Sequence, residues 1–259
     1  MRAFLLLLSV SCVFAGEWSK SYGVGGSPEL IVRCGDANVD LRAGSAGRVD
    51  ARLTTKGWEV RPGEVEVIEH QTGDRVDIEV RVPKAQNWNW SGNRSMKLEV
   101  TVPSEARVHI NTGDGNVSAS GVSGDLVFQT GDGNIVANSI GGKLEASTGD
   151  GNVRIAGRFD AVAVTTGDGN VDLAAAPGSM AASSWRMRTG DGNVKVAVPD
   201  DMKADFDLSS GDGHVTSDLP LSLSPGKIGG NQLRGKLNGG GSVLTIRTND
   251  GNIHLASAR

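Results

Sequence analysis

The chain repeats one hexapeptide. Thr112-Gly113-Asp114-Gly115-Asn116-Val117 returns from Thr130, Thr148, Thr166 and Thr189. Altered copies follow as Ser210-Gly211-Asp212-Gly213-His214-Val215 and Thr248-Asn249-Asp250-Gly251-Asn252-Ile253. The central Asp stands at 114, 132, 150 and 168, equal steps of 18 residues, and then at 191, 212 and 250, steps of 23, 21 and 38. Self-similarity at a fixed period restricts the fold to repeat architectures, in which a unit cannot bury its apolar face alone and must stack on its neighbours. The 38-residue step has the length of two periods and predicts a degenerate copy around Asn231. Upstream, Cys34-Gly35-Asp36-Ala37-Asn38-Val39 and Thr72-Gly73-Asp74-Arg75-Val76 read as eroded copies.

Strand side chains alternate between faces with period two, so parity assigns the apolar positions. Six and four residues before each Asp stand Val108 and Ile110, Leu126 and Phe128, Leu144 and Ala146, and Val162 and Val164; three and five after it stand Ile135 and Ala137, Val153 and Ile155, and Val171 and Leu173. The step from minus four to plus three is odd. A straight strand through the motif would turn one pair outward, so the chain must change direction there. Gly accepts positive φ, and Asp and Asn bond neighbouring backbone amides. Gly113, Gly115, Gly131, Gly133, Gly149, Gly151, Gly167 and Gly169 are accordingly the expected corner residues. A second corner is expected in stretches such as Ser120-Gly121-Val122-Ser123-Gly124-Asp125. Stacked antiparallel hairpins or a solenoid would both satisfy this pattern; the constant period and identical inward columns favour a right-handed, single-domain, all-β solenoid of two-strand coils.

Residues 1–15 combine Arg2, a short apolar run, and Val13 and Ala15 at the minus three and minus one positions of a cleavage site, the pattern of an export signal. The run is too short for a membrane span. A lipidated Cys12 is the alternative. The solenoid would then occupy 16–259, with irregular coils over 16–105 and regular repeats over 106–259. Cys34 would be the only cysteine left, which excludes a disulfide framework. A formal net charge of −4 without a basic stripe argues against nucleic acid as a partner.

Two features invite a functional reading. Between Pro83 and Met96 a turn-rich stretch carries Trp88, Trp90 and Arg94, a candidate binding loop, since aromatic faces serve sugars and protein hot spots. The plain alternative is that both indoles cover an open coil end. The column Asp114, Asp132, Asp150 and Asp168 is a candidate calcium ladder, although one carboxylate per coil gives few ligands per ion; splaying into water is favoured, and no cofactor is expected. The four histidines are dispersed, and no nucleophile, base and orienter share a local motif.

The repeated Thr-Gly-Asp-Gly-Asn-Val copies, introduced by Arg81-Val82-Pro83 and Leu98-Glu99-Val100-Thr101-Val102-Pro103, resemble the bacterial putative-adhesin family of toast-rack β-repeat domains over about residues 29–256. The resemblance implies a secreted or envelope-facing β-solenoid and offers no catalytic residues to carry over. The expected function is a non-enzymatic, adhesin-like interaction or scaffold module of the envelope. It would meet a protein or glycan partner in the periplasm or at the cell surface, with no transmembrane helix after signal cleavage. A polysaccharide lyase or hydrolase on the same scaffold and a purely structural spacer are the alternatives.

Overall fold

The computed structural model describes residues 12–14, 16–82, 94–179 and 184–258. Strand pairing decides between the two architectures. Val117 to Ser120 pair in parallel with Ile135 to Asn138, Ile135 with Val153, Val153 with Val171, and Val171 with Val194. On the other side of the corner, Leu126 pairs in parallel with Val108 and with Leu144. Equivalent residues of successive repeats are therefore neighbours, as a solenoid requires and a hairpin stack forbids. Each coil is named below by its corner Asp.

Parity becomes burial as expected. Val108, Ile110, Leu126, Phe128, Val153, Ile155, Val171 and Leu173 are all buried in one continuous core. Full burial of such side chains contributes roughly 1.5 to 3 kcal/mol each. The second corner falls where the turn residues lie, but pairing continues through it. Ile135–Ser147 and Val153–Thr165 are single strands with register shifts after Asn138 and Gly142. Val122, Ile140 and Phe159 fill the inside of this bend, and Phe159 meets Trp185 edge to face.

At the first corner the Thr, the first Gly and the Asn of each motif are tied to the coil beneath. Thr130 Oγ1 donates to the carbonyls of Gly113 and Gly115 at 2.9 and 2.8 Å, and Thr148, Thr166, Thr189 and Thr248 repeat the arrangement. These hydroxyls are buried and give a partner to the carbonyls of Gly115 and its equivalents, while the Gly113 carbonyl and its equivalents also accept a backbone N–H from the next coil. The glycines serve a different purpose from the one expected. None from Gly113 to Gly169 in the motif has positive φ. A Cβ on Gly133 would instead stand 2.1 Å from the Gly115 carbonyl oxygen, and one on Gly151 2.0 Å from that of Gly133. Close stacking of corner on corner excludes a side chain.

The first corner of the ladder supports this reason. Ala37 holds the position of Gly115, and Cys34 that of Thr112. The Ala37 Cβ is accommodated there, whereas a Cβ on Gly115 in the coil above would stand 2.0 Å from the Ala37 carbonyl oxygen. Burial raises the Cys34 thiol pKa, and its Sγ lies 3.9 Å from the carbonyls of Ala37 and Asn111. It is a small buried core residue.

Both ends depart from chain order. Glu29–Cys34 lies between Arg75–Arg81 and Arg107–Thr112, and Asn38–Ala43 lies between Ser95–Val102 and Val117–Ser120. The Asp36 coil therefore stacks directly under the Asp114 coil. At the other end Ser242–Thr248 lies between Trp185–Arg188 and Ala204–Ser210, and Ile253–Ser257 between Val194–Val198 and Val215–Ser217. The Asp250 coil is thus wedged between the Asp191 and Asp212 coils. Two expected copies are corrected by this arrangement. Gly73 and Asp74 form the tight loop of an antiparallel hairpin between Glu66–Thr72 and Arg75–Arg81, with Gly73 at φ 58°. Gly230 and Asn231 form the loop between Ser222–Gly229 and Gln232–Leu237. Asn231 Nδ2 donates to the Gly211 carbonyl, and its own carbonyl accepts from Ser210 N. Asn231 caps the last corner instead of adding a coil.

Candidate binding surface

The outer edge of the corner is a ladder of asparagines. Asn116 donates from its backbone N and from Nδ2 to Asn38 Oδ1 at 2.9 and 3.0 Å. The pair recurs from Asn134 to Asn116, Asn152 to Asn134, Asn170 to Asn152, Asn193 to Asn170 and Asn252 to Asn193. His214 N closes the row on Asn252 Oδ1. Turn chemistry predicts that each Asn bonds its own corner; it bonds the neighbouring coil instead. An amide nitrogen carries two hydrogens and uses one on the ladder, which leaves a straight row of N–H donors at the surface.

Beside this row runs an open groove of about 800 Å³ lined by Asn134, Asn152 and Asn170 on one side and by Val136, Arg154 and Lys195 on the other. Arg154 lies 3.6 Å from Asp172 in a largely exposed pair, which holds neither side chain firmly. The groove is rigid at its base and adaptable at its rim.

The corner carboxylates Asp114, Asp132, Asp150 and Asp168 are exposed. Each lies against the first corner Gly of the next coil: a Cβ on Gly131 would be 2.8 Å from Asp114 Oδ1, and one on Gly149 2.8 Å from Asp132 Oδ1. Among the described residues no three His, Cys, Asp or Glu side chains come together as a metal site. Trp88 and Trp90 lie outside the described residues. Arg94 is exposed and stacks its guanidinium 5.6 Å from the centre of the Trp58 ring. His109 sits between Ile31 and Val127 with its Nε2 covered and unpartnered among the described residues, and His254 lies 3.2 Å from Asp218. The structure does not gather the histidines.

Parity reasoning missed a cluster on the opposite sheet. Arg186 and Arg188 point outward beside Arg247, whose Nη2 lies 3.0 Å from Asp207 Oδ1; Arg234 Nε reaches the same oxygen at 3.0 Å. Burial acts to raise the Asp207 pKa, but the hydrogen bond from Arg234 and the charges of Arg247 and Arg234 outweigh it and hold the carboxyl below the usual aspartate range. Only the wedged position of the Asp250 coil brings Arg247 beside Arg188. Motif spacing carries no sign of it.

Parallel coils, a buried threonine ladder and an exposed asparagine ladder define a β-solenoid of Gly-Asp-Gly-Asn corners. The sequence matches Toastrack DUF4097 over residues 28–256, and the chain belongs to that family. Among solved structures it is similar to a putative cell adhesion protein from Clostridium sporogenes, at 13% identity and a TM-score of 0.42 over 92% of this chain and 98% of that one. A putative lipid binding protein from Parabacteroides distasonis is similar at 13% identity and 0.46, over 94% and 98% of the two chains. A putative adhesin from Bacteroides fragilis is similar at 12% and 0.37, over 92% and 96%. None of the curated proteins matches the chain. Among the described residues no helix is long and apolar enough to cross a membrane.

Proposed function

We propose that the chain is an exported, non-catalytic interaction or scaffold module of the bacterial envelope, and that its asparagine groove is a contact surface for an extended protein or glycan. The groove carries this reading. It presents donors at a constant spacing on a base whose geometry is fixed by the cross-coil hydrogen bonds, and binding groups are most precise on rigid elements. Export rests on the leader pattern of residues 1–15, and the loop with Trp88 and Trp90 is a second contact in the same reading.

Expression with the leader in a bacterial host, followed by intact-mass measurement, should show exported protein beginning at Gly16; retained Met1 or a lipid on Cys12 contradicts the cleavage. The exported form should be retained on washed envelope fractions, less so when Arg154→Glu and Lys195→Glu are combined. It should release no new reducing ends from polysaccharides. Turnover of a polysaccharide, or retention indifferent to the groove changes, would overturn this function.

A further inference from the structure

The arginine cluster lies on the sheet opposite the asparagine groove. Trp185–Arg188, Ser242–Thr248, Ala204–Ser210 and Gln232–Leu237 run side by side there. Arg188 stands in register with Arg247, and Arg186 with Thr245, which in turn stands beside Asp207 and then Arg234. The face holds four guanidiniums and the Asp207 carboxylate, which only two of them reach. Arg234 and Arg247 share Asp207, and the Arg247 Nη1 also donates to the Asp207 carbonyl at 2.6 Å. Arg186 and Arg188 are exposed and make no ion pair among the described residues. The segments 180–183 and 224–229, which adjoin these strands in the chain, contain no acidic residue. This excess of positive charge stands on a chain of net charge −4.

Like charges on adjacent strands oppose sheet formation, and among the described residues no carboxylate relieves them at Arg186 and Arg188. The guanidinium fork fits a carboxylate in bidentate fashion. Its flanks are neutral: Thr165 lies in register on one side of Arg188, and Ser209 and Gln232 follow beyond Arg247. The row Thr165, Arg188, Arg247, Ser209, Gln232 thus advances one strand at a time, about 4.8 Å per step. A polysaccharide laid across the strands would pass these side chains in turn, with carboxylates meeting the arginines and hydroxyls the threonine, serine and glutamine.

We propose that this face binds an unbranched polysaccharide bearing carboxylate groups. The proposal rests on the reading of the chain as an interaction module and adds a second surface with its own ligand chemistry. The probe is polygalacturonate, with its fully methyl-esterified form as a control that keeps the backbone and removes the charge. The mature protein should bind the acid and not the ester, and binding should weaken as salt rises. Replacing Arg186→Gln and Arg188→Gln together should weaken binding at least about tenfold, since charge-assisted bonds are the strong ones. Thermal melting should not fall, because both side chains are exposed and Arg188 stands beside the like charge of Arg247. Lys56→Glu alters net charge by the same two units at a remote exposed strand end and should leave affinity as it was. Equal binding of acid and ester, an equal loss in Lys56→Glu, or no binding of the acid would overturn the proposal. So would binding to vesicles containing phosphatidylglycerol that depends on Arg186 and Arg188 when the polysaccharide does not bind. Failure of this proposal alone leaves groove-dependent envelope retention intact; failure of the interaction reading removes that retention as well.

Discussion

Replacing Gly151 by Ala adds one methyl group at the most crowded point of the corner. Its Cβ would stand 2.0 Å from the Gly133 carbonyl oxygen and 2.7 Å from Thr148 Oγ1. Relief requires the two coils to part by about an ångström, on the scale of ordinary van der Waals contact. The Thr148 Oγ1 bond to the Gly133 carbonyl, 2.8 Å long, then stretches or breaks. Overpacking costs about 1 to 3 kcal/mol and a weakened hydrogen bond about 1 more, so the total is roughly 2 to 4 kcal/mol. At this chain length that lowers the melting temperature by roughly 5 to 15 °C. Two controls separate crowding from glycine's backbone freedom. A methyl group on Gly26 would meet nothing within 4 Å among the described residues. Gly26→Ala should therefore stay within about 0.5 kcal/mol, as should the exposed change Arg154→Ala. Calorimetry of the three proteins decides the matter. Equal melting of Gly151→Ala and Gly26→Ala would refute the reasoning.

Three further outcomes are expected. Replacing Trp88 and Trp90 together by Ala should weaken envelope binding about thirtyfold, the scale of a lost aromatic hot spot, with an unchanged melting temperature; a large loss of stability would make the indoles a cover for the coil end. Chelator should shift the melting temperature by no more than a few degrees, because the corner carboxylates are exposed and do not converge; restoration of a larger loss by calcium would make the ladder a metal site. Asp207→Asn should destabilise at about pH 7 and cease to do so in strong acid. The folded pKa of Asp207 is depressed, so its contribution is complete above the ordinary aspartate range and disappears as pH falls through the folded value. A difference that does not shrink as pH falls below the ordinary aspartate range would contradict the ion-pair account.

The inward columns were legible because parity is a local property. Val108, Phe128 and Ile155 needed only their distance from an Asp to be placed in the core. Coil order was not legible, because it depends on what happens between motifs. A step of 38 residues fits two coils as well as one coil, a hairpin and a return, and only the pairing of Leu244 with Trp185 on one side and Phe206 on the other distinguishes them. The first corner did carry a readable sign: Cys34 and Ala37 depart from the motif at the two positions that, in the later coils, press on the coil beneath. Asn was legible as a corner residue but not as a ladder, since a bond to the same turn and a bond to the neighbouring coil demand the same side chain. The arginine cluster inherits the difficulty of coil order, because Arg188 and Arg247 are 59 residues apart.

The wedged C-terminal coil is the claim on which the fold and the arginine face both depend, and paired cysteines test it most directly. In a Cys34→Thr background, Lys195→Cys with His254→Cys places two outward thiols in register on adjacent strands. Neighbouring strands are about 4.8 Å apart, within the Cα separation of about 4.4 to 6.8 Å that a disulfide spans. Lys195→Cys with Thr216→Cys places them two strands apart, because Thr216 pairs with His254 on its far side. Mild oxidation and intact-mass analysis should show the first pair closing quantitatively and the second remaining reduced. Closure of the Lys195 and Thr216 pair in place of the Lys195 and His254 pair would show coils stacked in chain order and would contradict the account.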